Sequence, residues 1–187
     1  MARYLWRGIR AEFLKIKRSQ ALFVAVLIPL FPAGLNFGEV LQRGLHLLPG
    51  EAPGALSAWS LYFRSSIDFW AIFALPLIVA VLSALLANVD HQSHQWKSLF
   101  AMAFPRSGIF AGKWAALMGL NALSAACFGA ANVLTGLAAG MLRPDLGLAF
   151  GGLPWGEAFA APLLGWLLAS GMITIHLWIS LRWSSFL

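Results

Sequence analysis

Four stretches of the chain run for about twenty residues or more without a charged side chain, the length that crosses the hydrocarbon core of a bilayer as a helix. They lie between Arg18 and Glu39, Asp68 and Asp90, Lys113 and Arg143, and Glu157 and Arg182. They predict spanning helices at about 20–38, 69–89, 114–141 and 158–181. The third run exceeds what a crossing needs, so its helix tilts or extends past the hydrocarbon. Pro29, Pro32 and Pro76 lie inside the runs; spanning helices tolerate proline where neighbours satisfy the freed backbone groups. Strand-like alternation over about ten residues does not recur, so a transmembrane barrel has no support. The expected fold class is all-α, a polytopic helical membrane protein forming a single transmembrane domain over 1–187.

The segments between the runs carry their own patterns. At about 100° per residue, Leu5, Trp6, Ile9, Phe13 and Ile16 share one side of a helix, and Arg3, Arg7, Arg10, Lys17 and Arg18 occupy much of the rest. This predicts an interfacial amphipathic helix over 1–18, with its apolar side in the acyl boundary and its cations toward anionic headgroups. The simpler alternative is a basic leader that only sets orientation. A cleaved signal peptide fits poorly: the leader is long, no small-x-small site follows, and three more runs come after it.

Between the first two runs, Pro49, Gly50, Pro53 and Gly54 mark a turn-rich break. Trp59, Tyr62, Phe63 and Phe69 follow it and read as interface anchors. Between the second and third runs lies DHQSHQWKSLFAMAFPRSGIFAGK, residues 90–113. There Trp96, Leu99, Phe100 and Ala103 recur at i, i+3, i+4 and i+7, predicting a short amphipathic helix that Pro105 ends. Such a helix either docks on another protein or lies on the membrane surface and closes the loop.

Composition agrees with this picture. Hydrophobic residues make up 60% and charged residues 11% of the 187, against about 45–50% and about 25% in an ordinary soluble domain. Mean hydropathy is +0.76. A soluble enzyme and a disordered tail are thereby unlikely readings. The single cysteine, Cys127, cannot form an intrachain disulfide and reads as a small apolar filler. The net charge of +6 need not mean nucleic acid. Ten of the thirteen basic residues fall in the N-terminal segment, the 90–113 loop and the C-terminal tail; Arg43, Arg64 and Arg143 lie in the other loops, with most of the acidic residues. The positive-inside rule then places both termini in the cytoplasm.

Candidate chemistry is sparse, and no catalytic residue is expected. The nearest text to a phosphate-binding loop, Gly108 to Lys113, sets its glycines one residue too close and puts Trp114 where a hydroxyl is required. His91 and His94 beside Asp90, with His176 on the same side, are too few for a membrane di-iron centre and read as solvated loop groups, so no metal is expected. Asn121, Ser124, Asn132 and Thr135 fall within about 80° of one face at helical pitch. They line a substrate path or, the favoured reading, pack helices together. Gly165, Ser170, Gly171 and Thr174 suggest close helix approach in the fourth run. His176 is the one ionisable residue inside a run, which gives proton-coupled transport little support.

The 90–113 loop resembles that of type-2 ABC exporter permeases, especially those near the bacitracin and lantibiotic self-protection transporters. Their loop reads as an acidic residue, a few polar residues, Trp-Lys, a small apolar helix, Pro, a basic residue, then Lys at the next span. Asp90, Trp96, Lys97, Leu99, Pro105, Arg106 and Lys113 match it here. The leader from Arg10 to Arg18 and the phrase from His176 to Phe186 have the same look, and the likeness extends over essentially the whole chain. Asp90 replaces the more usual Glu, and Gln95 sits where Thr is common.

The resemblance implies a permease subunit of an ATP-driven exporter in a bacterial cytoplasmic membrane. It would be a homodimer or heterodimer of permeases bound to two ABC ATPase subunits. ATP and Mg would sit on those subunits, leaving this chain without a cofactor and not itself an enzyme. The implied coupling residues are Asp90, Trp96, Lys97, Leu99, Phe100, Pro105 and Arg106. Trp96 and Leu99 would anchor in the ATPase groove while Lys97 and Arg106 pair with its acidic rim. Substrates would be amphipathic peptides or lipophilic compounds drawn from membrane lipid. The resembled permeases use six spans, which implies that this chain is C-terminally truncated or a reduced homologue. A non-transporting membrane scaffold that docks another cytoplasmic partner is the competing expectation.

Overall fold

The computed structural model describes residues 2–16, 19–45, 56–92, 106–148, 152 and 155–182, and among them every regular element is helical. The amphipathic leader forms α1 (Ala2–Ile16). Helices α2 (Ala21–Leu27) and α3 (Leu30–Arg43) follow one another across a turn at Pro29. Pro32 has no N–H for the Ile28 carbonyl, which accepts instead from the Phe31 N–H at 3.2 Å. Helix α4 (Ala58–Phe69) passes through a π-helical turn, Trp70–Ala74, into α5 (Leu75–Gln92). The turn lies just ahead of Pro76, which lacks the N–H that a regular α-helix would use there. Helix α6 (Arg106–Leu142) is unbroken, and its 37 residues extend about 55 Å at 1.5 Å per residue. A single 3-10 turn, Pro144–Leu146, and two shorter helices, α7 (Trp155–Leu168) and α8 (Ser170–Arg182), complete the described elements.

Three helical paths, Ala21–Arg43, Ala58–Val89 and Ser107–Leu142, are long and apolar enough to cross a bilayer. A fourth exists if α7 and α8 form one crossing, but it is bent by 48°. The expected single helix over 158–181 is therefore two, and its break falls at Ala169, just ahead of Ser170 and Gly171, a small-residue pair of the kind found at sharp bends.

The described helices divide into two compact units. One comprises Met1–Ala25, Pro76–Leu123 and Trp166–Leu187; the other comprises Val26–Leu75 and Ser124–Gly165. In the first, Ile78, Val79, Leu82 and Leu86 of α5, Leu117 and Leu120 of α6, and Ile173 and Leu177 of α8 are buried. Two indoles link helices there: Trp114 Nε1 donates to Thr174 Oγ1 at 3.0 Å, and Trp166 Nε1 donates to the Met118 carbonyl at 2.8 Å.

The second unit corrects one reading of the sequence. Trp59, Tyr62 and Phe63 are not surface anchors but lie in a core with Val40, Val133, Leu146 and Leu148. Helix α4 starts at Ala58, capped by Ser57 Oγ, which accepts from the Ser60 N–H at 3.1 Å. The sequence reading missed the core because the space for the indole is made by a glycine far along the chain. A Cβ on Gly136 would lie 2.5 Å from Trp59 Cζ3. With that space open, Trp59 stacks on Phe63 at 5.7 Å and meets Tyr62 edge-on at 6.1 Å. Of the four aromatics, only Phe69 is exposed.

Beyond α6, Arg143 donates from Nη2 to Asp145 Oδ2 at 2.6 Å and from Nη1 to the Leu41 carbonyl at 3.0 Å. A cation on a carbonyl of the last turn of α3 is favourable, since helix C-termini carry partial negative charge. The hydrogen bond from Arg143 holds the Asp145 carboxyl below its ordinary range.

Lipid tails are as apolar as leucine, so such helices gain from close packing rather than from transfer out of water. Gly129 makes the tightest backbone approach: a Cβ there would lie 2.7 Å from the Ala158 carbonyl oxygen of α7. Gly129→Ala is therefore expected to destabilise by about 1–3 kcal/mol through overpacking. Gly34→Ala, which meets nothing within 4 Å, is expected to gain up to about 1 kcal/mol of helix propensity. Thermal unfolding in detergent reads both signs. Because the folded pKa of Asp145 is depressed, its contribution is fully present above the unfolded value near 3.9 and is lost as pH falls through the folded one. An NMR titration of that carboxyl should give a midpoint below 3.9.

Candidate functional site

The segment expected to meet a partner is bracketed by two long helices. Asp90 lies in the last turn of α5 and Arg106 is the first residue of α6. Trp96, Lys97, Leu99, Phe100 and Pro105, and the short helix expected around them, lie outside the described residues. So does His94, while His91 lies near the end of α5. His176 pairs its Nδ1 with the Met172 carbonyl of its own helix at 3.0 Å. Among the described residues no group of three or more histidines, cysteines or carboxylates is placed to hold a metal.

Two turns into α6 from that segment, Lys113 is completely buried. Its Nζ lies 3.1 Å from Glu12 Oε2 of α1, a carboxylate 7% exposed. Lys15 approaches the other carboxylate oxygen, Oε1, at 3.2 Å. Beside this pair the Phe13 ring lies against α6, 3.2 Å from where a Gly119 Cβ would be, and Ile16 is buried. The leader thus docks onto α6 through a charge-paired face. Withdrawing each charge from water costs several kcal/mol, and only a well-formed pair offsets this. The pair therefore fixes where α1 sits more than it adds stability. Sequence reading missed Glu12, an acid among many cations whose partner is 101 residues away.

The polar stripe of α6 splits in its contacts. Asn121, Ser124 and Asn132 are fully buried and Thr135 partly so. Asn121 Nδ2 donates to the Leu117 carbonyl and Asn132 Nδ2 to the Phe128 carbonyl, each at 2.9 Å along the helix itself. Their Oδ1 atoms have no hydrogen-bond partner among the described residues. Thr135 Oγ1 donates to the Ala131 carbonyl at 2.7 Å and accepts from Tyr62 Oη at 2.9 Å. That bond extends a network the sequence did not reveal. Asn36 Nδ2 donates to the Tyr62 carbonyl at 3.1 Å, and Ser65 Oγ donates to Asn36 Oδ1. Three helices, α3, α4 and α6, are joined by these groups. The signals for it were Thr135 in the α6 stripe and Asn36 inside an uncharged run.

The buried ion pair predicts a coupling between its partners. Glu12→Gln and Lys113→Met each break the pair, and each is expected to cost about 3–5 kcal/mol. Joining the two changes should recover much of the loss, since a buried pair replaced whole by neutral groups is often tolerated. Thermal unfolding of the three variants measures the coupling; strictly additive losses in the double variant would show that Glu12 and Lys113 do not act as a pair.

Residues 8–187 match the model of a family described as ABC-2 family transporter protein. No curated protein and no solved structure gives a significant match. The matched region holds the 93–105 segment, the helices on either side of it and all the candidate spans. The chain belongs to the ABC-2 transporter family: it is a multi-pass membrane protein and the permease component of an ABC transporter rather than the subunit that hydrolyses ATP.

Proposed function

We propose that the chain is the permease of an exporter of the bacitracin and lantibiotic self-protection kind, moving amphipathic peptides or lipophilic compounds out of a bacterial cytoplasmic membrane. Both termini face the cytoplasm on this reading, as the distribution of Lys and Arg favours. Two permeases assemble with two ATPase subunits, and ATP and Mg are held by the ATPase.

One observation carries the reading. The 93–105 segment joins the ends of two candidate spans, and the helix leaving it is charge-paired to α1 two turns later. Trp96 and Leu99 anchor in the ATPase groove; Lys97 and Arg106 pair with its acidic rim. Closure of the ATPase dimer then displaces the Arg106 end of α6. Glu12 and Lys113 cannot separate cheaply in a low-dielectric setting, so α1 moves with α6. For ATP to drive the cycle, the loop must contact the ATPase differently in its two states.

Co-purification with the cognate ATPase, followed by ATPase assay in proteoliposomes, tests this. Wild type should retain the ATPase, and Trp96→Ala should lower permease-dependent stimulation about tenfold or more, as loss of a central aromatic anchor does. Unchanged stimulation removes Trp96 from the interface. Retention of a different cytoplasmic protein in place of an ATPase would favour a scaffold instead.

A further inference from the structure

The 48° bend between α7 and α8 is not dictated by a proline at the break. Pro162 lies inside α7, well ahead of Ala169, and the carbonyl it leaves without an N–H is that of Ala158. Ser170, Gly171 and Met172 all keep the N–H groups that a continuous helix would direct to Trp166, Leu167 and Leu168. A Cβ placed on Gly171 meets nothing within 4 Å, so no close neighbour wedges the helix open there. The small pair Ser170 and Gly171 permits a bend; it does not require one.

Helix α6 holds the path on both sides of the break. Ahead of it, Trp166 Nε1 donates to the Met118 carbonyl at 2.8 Å. Beyond it, Trp114 Nε1 donates to Thr174 Oγ1 at 3.0 Å, and that hydroxyl donates in turn to the Ser170 carbonyl at 2.8 Å. The second set of bonds therefore runs from α6 to the first residue of α8. A hydroxyl bonded to the carbonyl four residues back bends its own helix. The indole fixes this hydroxyl in that role, because an oxygen accepting from Trp114 turns its single hydrogen elsewhere. Trp114, Met118, Trp166, Ser170 and Thr174 all belong to the first unit. Thr174 lies five residues past Ala169, about 7.5 Å along the axis, and straightening by 48° would swing it about 6 Å sideways. That is beyond the reach of a hydrogen bond, and on an apolar path no water replaces the lost partner.

We propose that Trp114 and Trp166 form a latch: their hydrogen bonds hold the bend, and the α7–α8 path straightens about Ala169 when they are released. The two states differ in defined contacts, a bent one with both indoles bonded and a straight one with the backbone ladder continuous. Trp114 directly follows Lys113, so the same turn of α6 that is charge-paired to α1 also grips α8. The latch does not rest on the transport reading, because the bend is measured on the chain alone.

The test is oriented-sample solid-state NMR of the full chain in phospholipid bilayers. Isotope-labelled leucines report the tilt of α7 through Leu163, Leu164, Leu167 and Leu168, and that of α8 through Leu177 and Leu181. Wild type should give a bend near 48°. Trp114→Phe combined with Trp166→Phe, which keeps an aromatic ring at each position and removes both N–H groups, should bring it below about 20°, under the range of sharp kinks. Thr174→Val, confined to one exposed side chain, should lower the angle as well. Trp178→Phe, on α8 but outside the latch, should leave it unchanged, and so should Gly171→Ala. The same angle in wild type, the double variant and Thr174→Val overturns the proposal. So does a straight helix in Gly171→Ala, which would place the cause of the bend in the small pair.

Discussion

Where hydrocarbon replaces water, a polar side chain keeps a hydrogen bond only if the protein supplies the partner. On a helix the carbonyl four residues back is within reach. Ser83, Asn121, Asn132, Thr135 and Thr174 all take it, bonding to Val79, Leu117, Phe128, Ala131 and Ser170. A hydroxyl or amide donor bonded in this way can sit in a span without an acceptor on another helix, although the Oδ1 atoms of Asn121 and Asn132 find no partner among the described residues. Among the described residues, specific bonds cross between helices as well: Tyr62 reaches Thr135, Asn36 reaches Tyr62 and Ser65, Lys113 reaches Glu12, and the indoles of Trp114 and Trp166 reach Thr174 and Met118. Each fixes a relation between helices that apolar packing alone would leave loosely specified.

What could be read in the sequence follows from the range of the physics involved. Uncharged runs are local, and those before Glu39, before Asp90 and before Arg143 are matched by apolar helical paths. The amphipathic leader was legible as a helix because its pattern repeats within its own length. Glu12 borders the apolar side, one turn from Ile9 and Ile16, but nothing local in the sequence shows its partner, Lys113. Trp59 and Tyr62 misled for a similar reason: beside a turn-rich loop they look like interface residues, and only Gly136 decides otherwise. Ser170 and Gly171, just past the break at Ala169, were visible as two small residues, but their spacing with Gly165 and Thr174 suggested packing rather than a bend.

The candidate site divides along the same line. The loop motif was readable as residues, and its two ends are now placed on α5 and α6. The docking of α1 was not readable at all, yet it alters how the loop is understood. A coupling loop on free helix ends would act on one helix. Here the helix it enters carries a second one bound by opposite charges, so any displacement of the Arg106 end has to move both or break a buried pair. On the proposed reading of the loop as a coupling segment, the N-terminal helix would move together with α6.

The π turn at Trp70–Ala74 has a consequence for chain length. Ahead of it the buried side of the helix runs through Trp59, Tyr62, Ser66 and Trp70; beyond it, through Ile78, Leu82 and Leu86. Continued at about 3.6 residues per turn, the first series would bring Leu77 inward, and Leu77 is exposed. The wider turn takes up the extra residue and advances the inward side to Ile78. A one-residue deletion there would remove the residue that the wider turn holds and, by the same count, bring Ile78 onto the series that Trp59 begins, so the turn can be lost without turning the later residues outward.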